Sequence, residues 1–229
     1  MTNMLAIETS AEACSVALYC DGDIRVFFEN APMRHAELLL PAVQALLAEA
    51  GIQLAQLDAI AFGRGPGSFT SLRIGIGVVQ GLGWGAEVPV VPVSSLAAVA
   101  QDAADVAESN ATAICVALDA RMQEVYTANF HCGSTGIVFA DGEERVCVPD
   151  RVKAPGDEQF IAAGNGFERF GELGQLVSSS AECLPGIKPR AETVCKLALD
   201  WLRSNEPVPA GLAQPVYVRN DVASKPGRN

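Results

Sequence analysis

Lysine is missing from the first two thirds of the 229-residue sequence, since none of the 152 residues before Lys153 is a lysine. A P-loop places Gly-Lys-Ser/Thr after four variable residues, so that nucleotide-binding motif is excluded. Histidine is also scarce, and His35 is followed at i+4 by Leu39, while the only other histidine is His131. A helical H-x-x-x-H site is therefore not predicted, and neither a metal nor another cofactor is expected.

Several protein classes are excluded by further absences. The seven cysteines are scattered without a C-x-x-C pair, which favours reduced thiols over disulfides or zinc, and Cys14, Cys115 and Cys195 lie in apolar patterns typical of buried packing. No apolar run is long enough to cross a bilayer, and the start lacks a basic region and contains Glu8, so neither a membrane span nor a signal peptide is expected. A cytoplasmic protein is the prediction.

The charge balance is strongly acidic, with a formal net charge of −11. Such a surface repels phosphate backbones, so the chain is not expected to hold nucleic acid by itself. The remaining composition, 49% hydrophobic and 19% charged, is that of a globular protein.

The most informative stretch is residues 58–85, which reads as a strand, a glycine-rich turn and a helix. Gly77, Gly81 and Gly85 lie four apart and share one face of that helix. Each interior glycine costs about 1 kcal/mol relative to alanine. Two explanations are open: the stripe admits a second helix at close distance, or the helix packs closely on its own sheet.

The turn before this helix has two interpretations as well. Gly65, Gly67 and the amides of residues 68–70 could cradle an anion at a helix N-terminus. The alternative is turn geometry alone, with Ser68 as the N-cap. The alternating glycines do not have the spacing of a dinucleotide-binding fingerprint.

The order of elements predicts an α/β fold. Three strands come first, with Asp21-Gly22 as a hairpin turn, and a helix at His35–Ala50 contains Pro41, where a kink is expected. Later strands alternate with helices, which indicates parallel pairing and a mixed sheet. The predicted strands are residues 4–7, 14–20, 24–28, 59–62 and 88–93, and the later helices are residues 96–107 and 192–203.

A weak internal repeat predicts two related lobes. Shifting the sequence by 111 places residues 6–19 over residues 117–130, and both read strand, acid, short turn, strand. We therefore predict an N-terminal lobe of residues 1–108 carrying the glycine helix. A second lobe, residues 109–229, would contain the C-terminal helix and an extended tail.

Two such lobes resemble the actin-like (ASKHA, ribonuclease H-like) architecture, in which each lobe is a mixed sheet flanked by helices. The resemblance implies that Glu8 and Asp119 lie on either side of a nucleotide cleft, with Thr9 and Ser10 as phosphate donors. A working phosphate loop of that class reads Asp-x-Gly, and Ser10 occupies the glycine position. ATP hydrolysis is therefore not expected, and Glu8, Ser10 and Asp119 are only weak candidates for nucleotide binding. No G-x-S-x-G nucleophile motif occurs, so no catalytic residue is predicted.

Three motifs together resemble the bacterial TsaB (YeaZ) family across essentially the whole chain. They are GRGPGSFTSLRIG at residues 63–75, LAIETS with CSVAL at residues 5–18, and DAR with EVY at residues 119–126.

The resemblance implies a role in making N6-threonylcarbamoyladenosine (t6A) at position 37 of tRNAs that read codons beginning with A. In that pathway the TsaD (YgjD) subunit transfers the threonylcarbamoyl group, helped by TsaB and the ATPase TsaE. Leu39 fits loss of the H-x-x-x-H metal site of TsaD, and Ser10 fits loss of a nucleotide loop. A catalytically degenerate scaffold is the expectation.

The helices at His35–Ala50 and residues 70–85 are expected to form one apolar face that binds TsaD, or a second copy of this chain when TsaD is absent. TsaE would join in a ternary complex, and tRNA would be engaged only indirectly. The residues assigned to this face are Leu39, Val43, Leu46, Leu47, Arg73, Ile74, Gly77, Val78 and Gly81. The alternatives are an ATP-dependent phosphotransferase, a peptidase that trims its partner, and a plain self-associating structural protein.

Overall fold

The computed structural model describes residues 2–156 and 159–219, and within these residues the chain forms ten strands and six α-helices. The strands are β1 (Met4–Glu8), β2 (Ala13–Cys20), β3 (Asp23–Asn30), β4 (Ala59–Gly63), β5 (Val90–Val93), β6 (Ala113–Asp119), β7 (Val125–Cys132), β8 (Val138–Cys147), β9 (Phe160–Ala163) and β10 (Glu182–Leu184). The helices are α1 (His35–Ala50), α2 (Phe69–Ala86), α3 (Ser95–Val106), α4 (Gly166–Arg169), α5 (Gly174–Ser179) and α6 (Ala191–Trp201). In the described part of the chain no helix has both the length and the apolar character needed to cross a membrane.

The strands form two five-stranded mixed sheets of the same topology. The first has the order β3-β2-β1-β4-β5 and the second the order β8-β7-β6-β9-β10. In each sheet the first three strands along the chain pair antiparallel and the later two pair parallel to the first. This is the strand order of the ribonuclease H-like sheet, and two copies in one chain make an actin-like fold. The predicted fold class is confirmed.

The internal repeat holds with one adjustment. Ala6 pairs with Ala17 in the first sheet, whereas Ala117 pairs with Thr127 in the second. An ungapped shift of 111 would pair Ala117 with Ala128, so the second hairpin is offset by one residue. The offset is accommodated by the turn between β6 and β7.

The helices lie in layers around the sheets. α1 and α2 cover the outer face of the first sheet and pack against each other, whereas α3 and α6 lie between the two sheets. α3 packs on β6 to β9 of the second sheet, while α6, from the second half of the chain, packs on β1, β2, β4 and β5 of the first. The division at residues 108 and 109 therefore remains a proposal, because each half covers the sheet of the other.

Several local predictions are confirmed by the structure. Ser94 caps α3, since its Oγ accepts hydrogen bonds of 3.1 Å from the amides of Leu96 and Ala97. β5 is an edge strand, and its free side forms an isolated antiparallel bridge between Val90 and Val208. α1 ends, as predicted, at a left-handed C-cap at Gly51. It runs through Pro41 as one helix, and the kink expected there stays a prediction.

Candidate functional site

The two helices assigned to protein binding lie side by side on the outer face of the first sheet. Three of the residues assigned to the binding face are nevertheless inside the chain's own core. Leu39, Val43 and Leu46 are 0%, 2% and 5% exposed, so their predicted placement on a binding surface is wrong. They point at the sheet because an amphipathic helix buries its most apolar stripe against the core first.

The glycines of α2 fall into two groups. One group is explained by packing of the helix on its own sheet, and the other is not. Gly75 and Gly83 face inward: a Cβ at Gly75 would collide with Thr9 Oγ1, and one at Gly83 would lie 2.7 Å from the Cβ of Ala210. At Gly77 and Gly81, by contrast, an added Cβ would meet nothing within 4 Å. Packing on the chain's own sheet explains the first group and leaves the second unexplained.

The surface around the outward glycines is called the docking face below. Its exposed members on α2 are Arg73, Gly77 and Gly81, and Leu47, Ile74 and Val78 are half-buried at its edge. Two exposed side chains that the sequence reasoning missed belong to it as well. They are Leu40 of α1, 45% exposed, and Trp84 of α2, 76% exposed.

A sequence signal for Trp84 was present. It follows Gly77 by seven residues, which is two helical turns and the same face. The 18 residues of α2 include a single charged side chain, that of Arg73. The docking face is therefore mainly apolar, with a large aromatic side chain at one end and the Arg73 guanidinium at the other.

Arg73 is held in place by the C-terminal segment. Its guanidinium lies 3.7 Å from the centroid of the Phe69 ring, and its Nε donates a 3.1 Å hydrogen bond to the hydroxyl of Tyr217. The Phe69 and Tyr217 rings are themselves in contact, with centroids 5.4 Å apart. Contacts within the chain thus fix the position of Arg73 at this end of the docking face.

At the glycine turn before α2, the structure favours turn geometry over an anion cradle. The amide of Ser68 donates a 2.7 Å hydrogen bond to the carbonyl of Ser10, and a Cβ at Gly67 would collide with that same carbonyl. Ser68 is the N-cap by position, but its Oγ contacts the Ser71 hydroxyl at 3.0 Å instead of a helix amide. The glycines serve turn geometry, with Gly65 at φ +93°.

Glu8, the residue of the first lobe expected to line a nucleotide cleft, is enclosed by neighbouring residues of the chain. Glu8 is 1% exposed, and its two carboxylate oxygens accept hydrogen bonds from the amide of Ser10 at 2.5 Å and from the hydroxyl of Ser95 at 2.8 Å. Burial raises the pKa of the Glu8 carboxyl, and these hydrogen bonds only partly oppose that shift. A side chain at Gly63 would collide with the carboxylate. Glu8 therefore does not face an open cleft.

The hydroxyls next to Glu8 are buried within the chain as well. Thr9 Oγ1 donates a 2.9 Å hydrogen bond to the carbonyl of Ser71. Ser10 Oγ is buried and, in the part of the chain that the structure describes, has no hydrogen-bond partner. Neither hydroxyl is placed as a phosphate donor.

Asp119, the candidate on the second lobe, is paired within the protein. Its carboxylate lies 3.4 Å from Arg169 and 3.7 Å from Arg121, and its side chain is 7% exposed. Arg121 also reaches Glu12 of the first lobe at 3.6 Å. The structure thus brings the two turns together through an ion pair between Arg121 and Glu12.

Two further contacts near the cleft were not foreseen from the sequence. Arg64, directly after β4, makes a two-pronged ion pair with Glu144 of β8, with N to O distances of 2.9 and 3.1 Å. Arg219 binds Glu124 at 2.5 Å and the carbonyl of Ala120 at 3.2 Å. Partners 80 and 95 residues apart leave no local sequence signal.

In the described part of the chain, neither histidine belongs to a group that could hold a metal ion. The Nε2 of His35 lies 3.1 and 3.2 Å from the carbonyls of Ala11 and Ala13, so it donates to them and ties α1 to the turn before β2. Across residues 2–156 and 159–219, no three His, Cys, Asp or Glu side chains are grouped so that they could hold a metal ion.

Comparisons with known proteins agree with the motifs. The family model described as TsaD, tRNA N6-adenosine threonylcarbamoyltransferase, matches residues 26–182. The tRNA threonylcarbamoyladenosine biosynthesis protein TsaB of Escherichia coli is 40% identical over 233 residues, covering 98% of this chain and 99% of that protein. The structure of YeaZ from Pseudomonas aeruginosa has a TM-score of 0.84 and 42% identity, covering 95% of this chain and 100% of that one.

A second Pseudomonas aeruginosa structure, of a protein described as similar to the peptidase YeaZ, has a TM-score of 0.86 and 42% identity and covers 96% of this chain and 100% of that one. The likeness spans the whole chain in both sequence and structure, and it confirms the resemblance carried by the three motifs. The chain therefore belongs to the TsaB (YeaZ) family.

Proposed function

We propose that this chain is a non-catalytic scaffold subunit required for t6A formation at position 37 of tRNAs that read codons beginning with A. It binds the TsaD transferase through the docking face, works with the ATPase TsaE in a ternary complex, and forms a homodimer through the same face in isolation. The site of action is the cytoplasm, and TsaD holds the tRNA. The relative's name supports the pathway, and the docking face supports the mode of action.

The observation that carries the proposal is the exposed glycine pair Gly77 and Gly81. Each costs about 1 kcal/mol of helix stability relative to alanine, and neither gives room to any atom of its own chain. The missing side chains at Gly77 and Gly81 leave a shallow groove on the docking face. A helix of a partner lying in this groove could approach the α2 backbone closely, and its packing would offset the lost helix stability. Trp84 beside the groove supplies the large aromatic anchor typical of interface hot spots.

The TsaD family model supports the choice of partner. It matches residues 26–182, a range that contains both α1 and α2. Two chains built on the same domain can join through equivalent helices about an approximate two-fold axis, and a homodimer would use the same contacts. Four helices, two from each chain, would then form the interface.

The cleft supports a non-catalytic role. The Glu8 carboxylate is occupied by Ser10 and Ser95, and Asp119 is occupied by arginines. A nucleotide would have to displace these contacts before it could reach either acid. The net charge of −11 likewise favours a partner that holds the tRNA.

The test combines assembly with a cellular readout. Gly77→Leu with Gly81→Leu adds side chains to the docking face at two positions where a Cβ meets nothing within 4 Å. The isolated protein should therefore fold, while its binding to TsaD, measured by calorimetry, is lost. In cells depleted of this protein, wild type should restore t6A, measured by mass spectrometry of digested tRNA, and the double variant should not.

A matched control adds the same two leucines elsewhere. Gly171 and Gly174 are exposed glycines of the second lobe at which an added Cβ meets nothing within 4 Å. Gly171→Leu with Gly174→Leu should bind TsaD and restore t6A normally. Normal assembly by the groove-filling variant would refute the docking face, and unchanged t6A after depletion would refute the pathway.

One rival is a peptidase acting on its partner, favoured by the description of the second Pseudomonas aeruginosa structure. It predicts that incubation with TsaD yields a cleaved product, and that one point mutation abolishes the cleavage. An ATP-dependent enzyme predicts instead saturable ATP binding that is lost in Glu8→Ala or Asp119→Ala. The scaffold predicts neither result.

A further inference from the structure

A cavity of about 540 Å³ lies between the lobes, on the side of the first sheet opposite the docking face. Its walls come from α3, α6, the β2–β3 hairpin and the turn before β8. This volume is within the range of about 300–1,000 Å³ that small-molecule sites occupy. Nothing in the proposed scaffold role uses this cavity.

The cavity is apolar along much of its length. Tyr19 and Ile24 line it from the hairpin, Val106 and Leu199 line it from α3 and α6, and Ile137 closes the side toward the second sheet. Ile24 and Val106 are 41% and 52% exposed. A ligand with an aliphatic body would remove this apolar surface from water.

The charged groups of the lining are predominantly acidic. The carboxylates are Asp102, Asp105, Glu192 and Asp200, and the cations are Lys196 and Arg203. Asp200 is paired with Arg203 at 3.5 Å. Asp105 is paired with Lys196, and Glu192 lies 4.0 Å from Arg190 at the edge of an ion pair. Asp102, on the facing helix α3, is the carboxylate of the lining without an ion pair among the described residues.

Asp102 is the least satisfied of these carboxylates. Among the described residues it has no hydrogen-bond donor, and burial raises its pKa, with Glu192 and Asp105 adding to the shift and Arg190 opposing it. Burying a charge without a partner is costly. A bound cation next to Asp102 would relieve that cost.

One alkylammonium already lies in the cavity. The Nζ of Lys196 is 2.6 and 2.9 Å from the two carboxylate oxygens of Asp105. Lys196 and Leu199 both line the cavity from α6. The α6 wall of the cavity therefore already combines an ammonium bound to a carboxylate with an apolar side chain.

The spacing of the carboxylates on α6 favours a long ligand, whose ammonium groups would compete with the arginines now beside Glu192 and Asp200. Glu192 and Asp200 are eight residues apart on α6, which is a rise of about 12 Å along the helix. Leu199 lies between them on α6, and Ile24 and Val106 line the same cavity from other elements. An ammonium at each end, joined by a methylene chain, matches this arrangement.

We propose that this cavity binds a linear aliphatic polyamine, with one ammonium on Asp102 and Glu192, its chain along Ile24 and Leu199, and its far end toward Asp200. The ligand contacts both lobes. It therefore acts as a small-molecule brace between them.

The experiment titrates spermidine into the full chain by calorimetry. Asp102→Asn with Glu192→Gln removes both charges at one end and should weaken binding at least about tenfold, because each charge-assisted hydrogen bond contributes about 1.5–3 kcal/mol. The control, Glu168→Gln with Glu172→Gln, makes the same change of net charge at exposed sites of the second lobe and should bind like wild type.

A third variant separates cavity binding from general attraction to an acidic chain. Thr135→Trp at the exposed cavity rim keeps every carboxylate and should still weaken spermidine binding by obstructing the cavity. Equal weakening in the cavity and control variants, unaltered binding in Thr135→Trp, or no saturable binding to wild type would each overturn the proposal. Melting of each unliganded variant verifies that it is folded.

Discussion

Alanine at Gly77 and Gly81 is expected to stabilise the isolated chain, while alanine at Gly75 on the same helix destabilises it. At Gly77 and Gly81 an added Cβ meets nothing within 4 Å, so only the helix propensity changes. The gain is about 1 kcal/mol at each site, or about 2 kcal/mol together. For a chain of this size, that corresponds to a rise in Tm of roughly 4–8 °C.

At Gly75 the same propensity gain is outweighed by a collision. The added Cβ would strike Thr9 Oγ1, whose hydrogen bond to the Ser71 carbonyl would have to shift. Overpacking a filled site costs about 1–3 kcal/mol, and the lost hydrogen bond costs about 1 kcal/mol more. The free energy of unfolding should therefore fall by about 1–3 kcal/mol after the propensity gain is subtracted.

The assay is urea unfolding followed by circular dichroism at concentrations where size exclusion shows a monomer. Self-association would otherwise add its own contribution to the apparent stability. A stability loss in Gly77→Ala with Gly81→Ala would refute the account of the outward glycines. A stability gain in Gly75→Ala would refute the account of the inward one.

Two further predictions concern the buried carboxylate and the tie between the lobes. Because the pKa of Glu8 is raised above its ordinary value of 4.5, the folded state holds a proton that the unfolded state releases. The free energy of unfolding should therefore fall as pH rises from 4.5 through the folded pKa. Glu8→Gln should abolish that fall in urea unfolding at several pH values, and an unchanged slope would contradict it. A double-mutant cycle with Arg64→Ala and Glu144→Ala should give a coupling energy of about 1–2 kcal/mol in urea unfolding. The ion pair is shielded from solvent, because its side chains are only 25% and 13% exposed. Additive effects of the two substitutions would show that this ion pair does not stabilise the contact between the lobes.

The docking helices show how far the periodicity of a sequence can be read. The glycine spacing placed Gly77 and Gly81 on one face, and the structure confirms that both are exposed. The same reasoning assigned Leu39 and Val43 to the surface, and they are buried. Periodicity identifies which residues share a face, but the side of the helix that meets the sheet depends on where the sheet lies.

The cleft shows a second limit. The acid and turn units at Glu8 and Asp119 were recognisable because each follows a strand, and local order is written in local sequence. Their partners were not predictable. Ser95 lies 87 residues from Glu8 along the chain, and Arg169 lies 50 residues from Asp119, so no spacing rule connects them.

The sequence by itself determined the alternation of strands and helices, the repeated strand, acid, turn, strand unit, and the glycine stripe of α2, because each depends on neighbours within a few residues. Only the tertiary structure decided that α3 and α6 cover the sheet of the other half. It also decided that Thr9 occupies the space beside Gly75 while no atom of the chain lies beside Gly77, and that Asp102 and Glu192 line one cavity. These depend on contacts between distant segments, whose geometry is fixed by the packing of the whole core and leaves no mark on the local pattern.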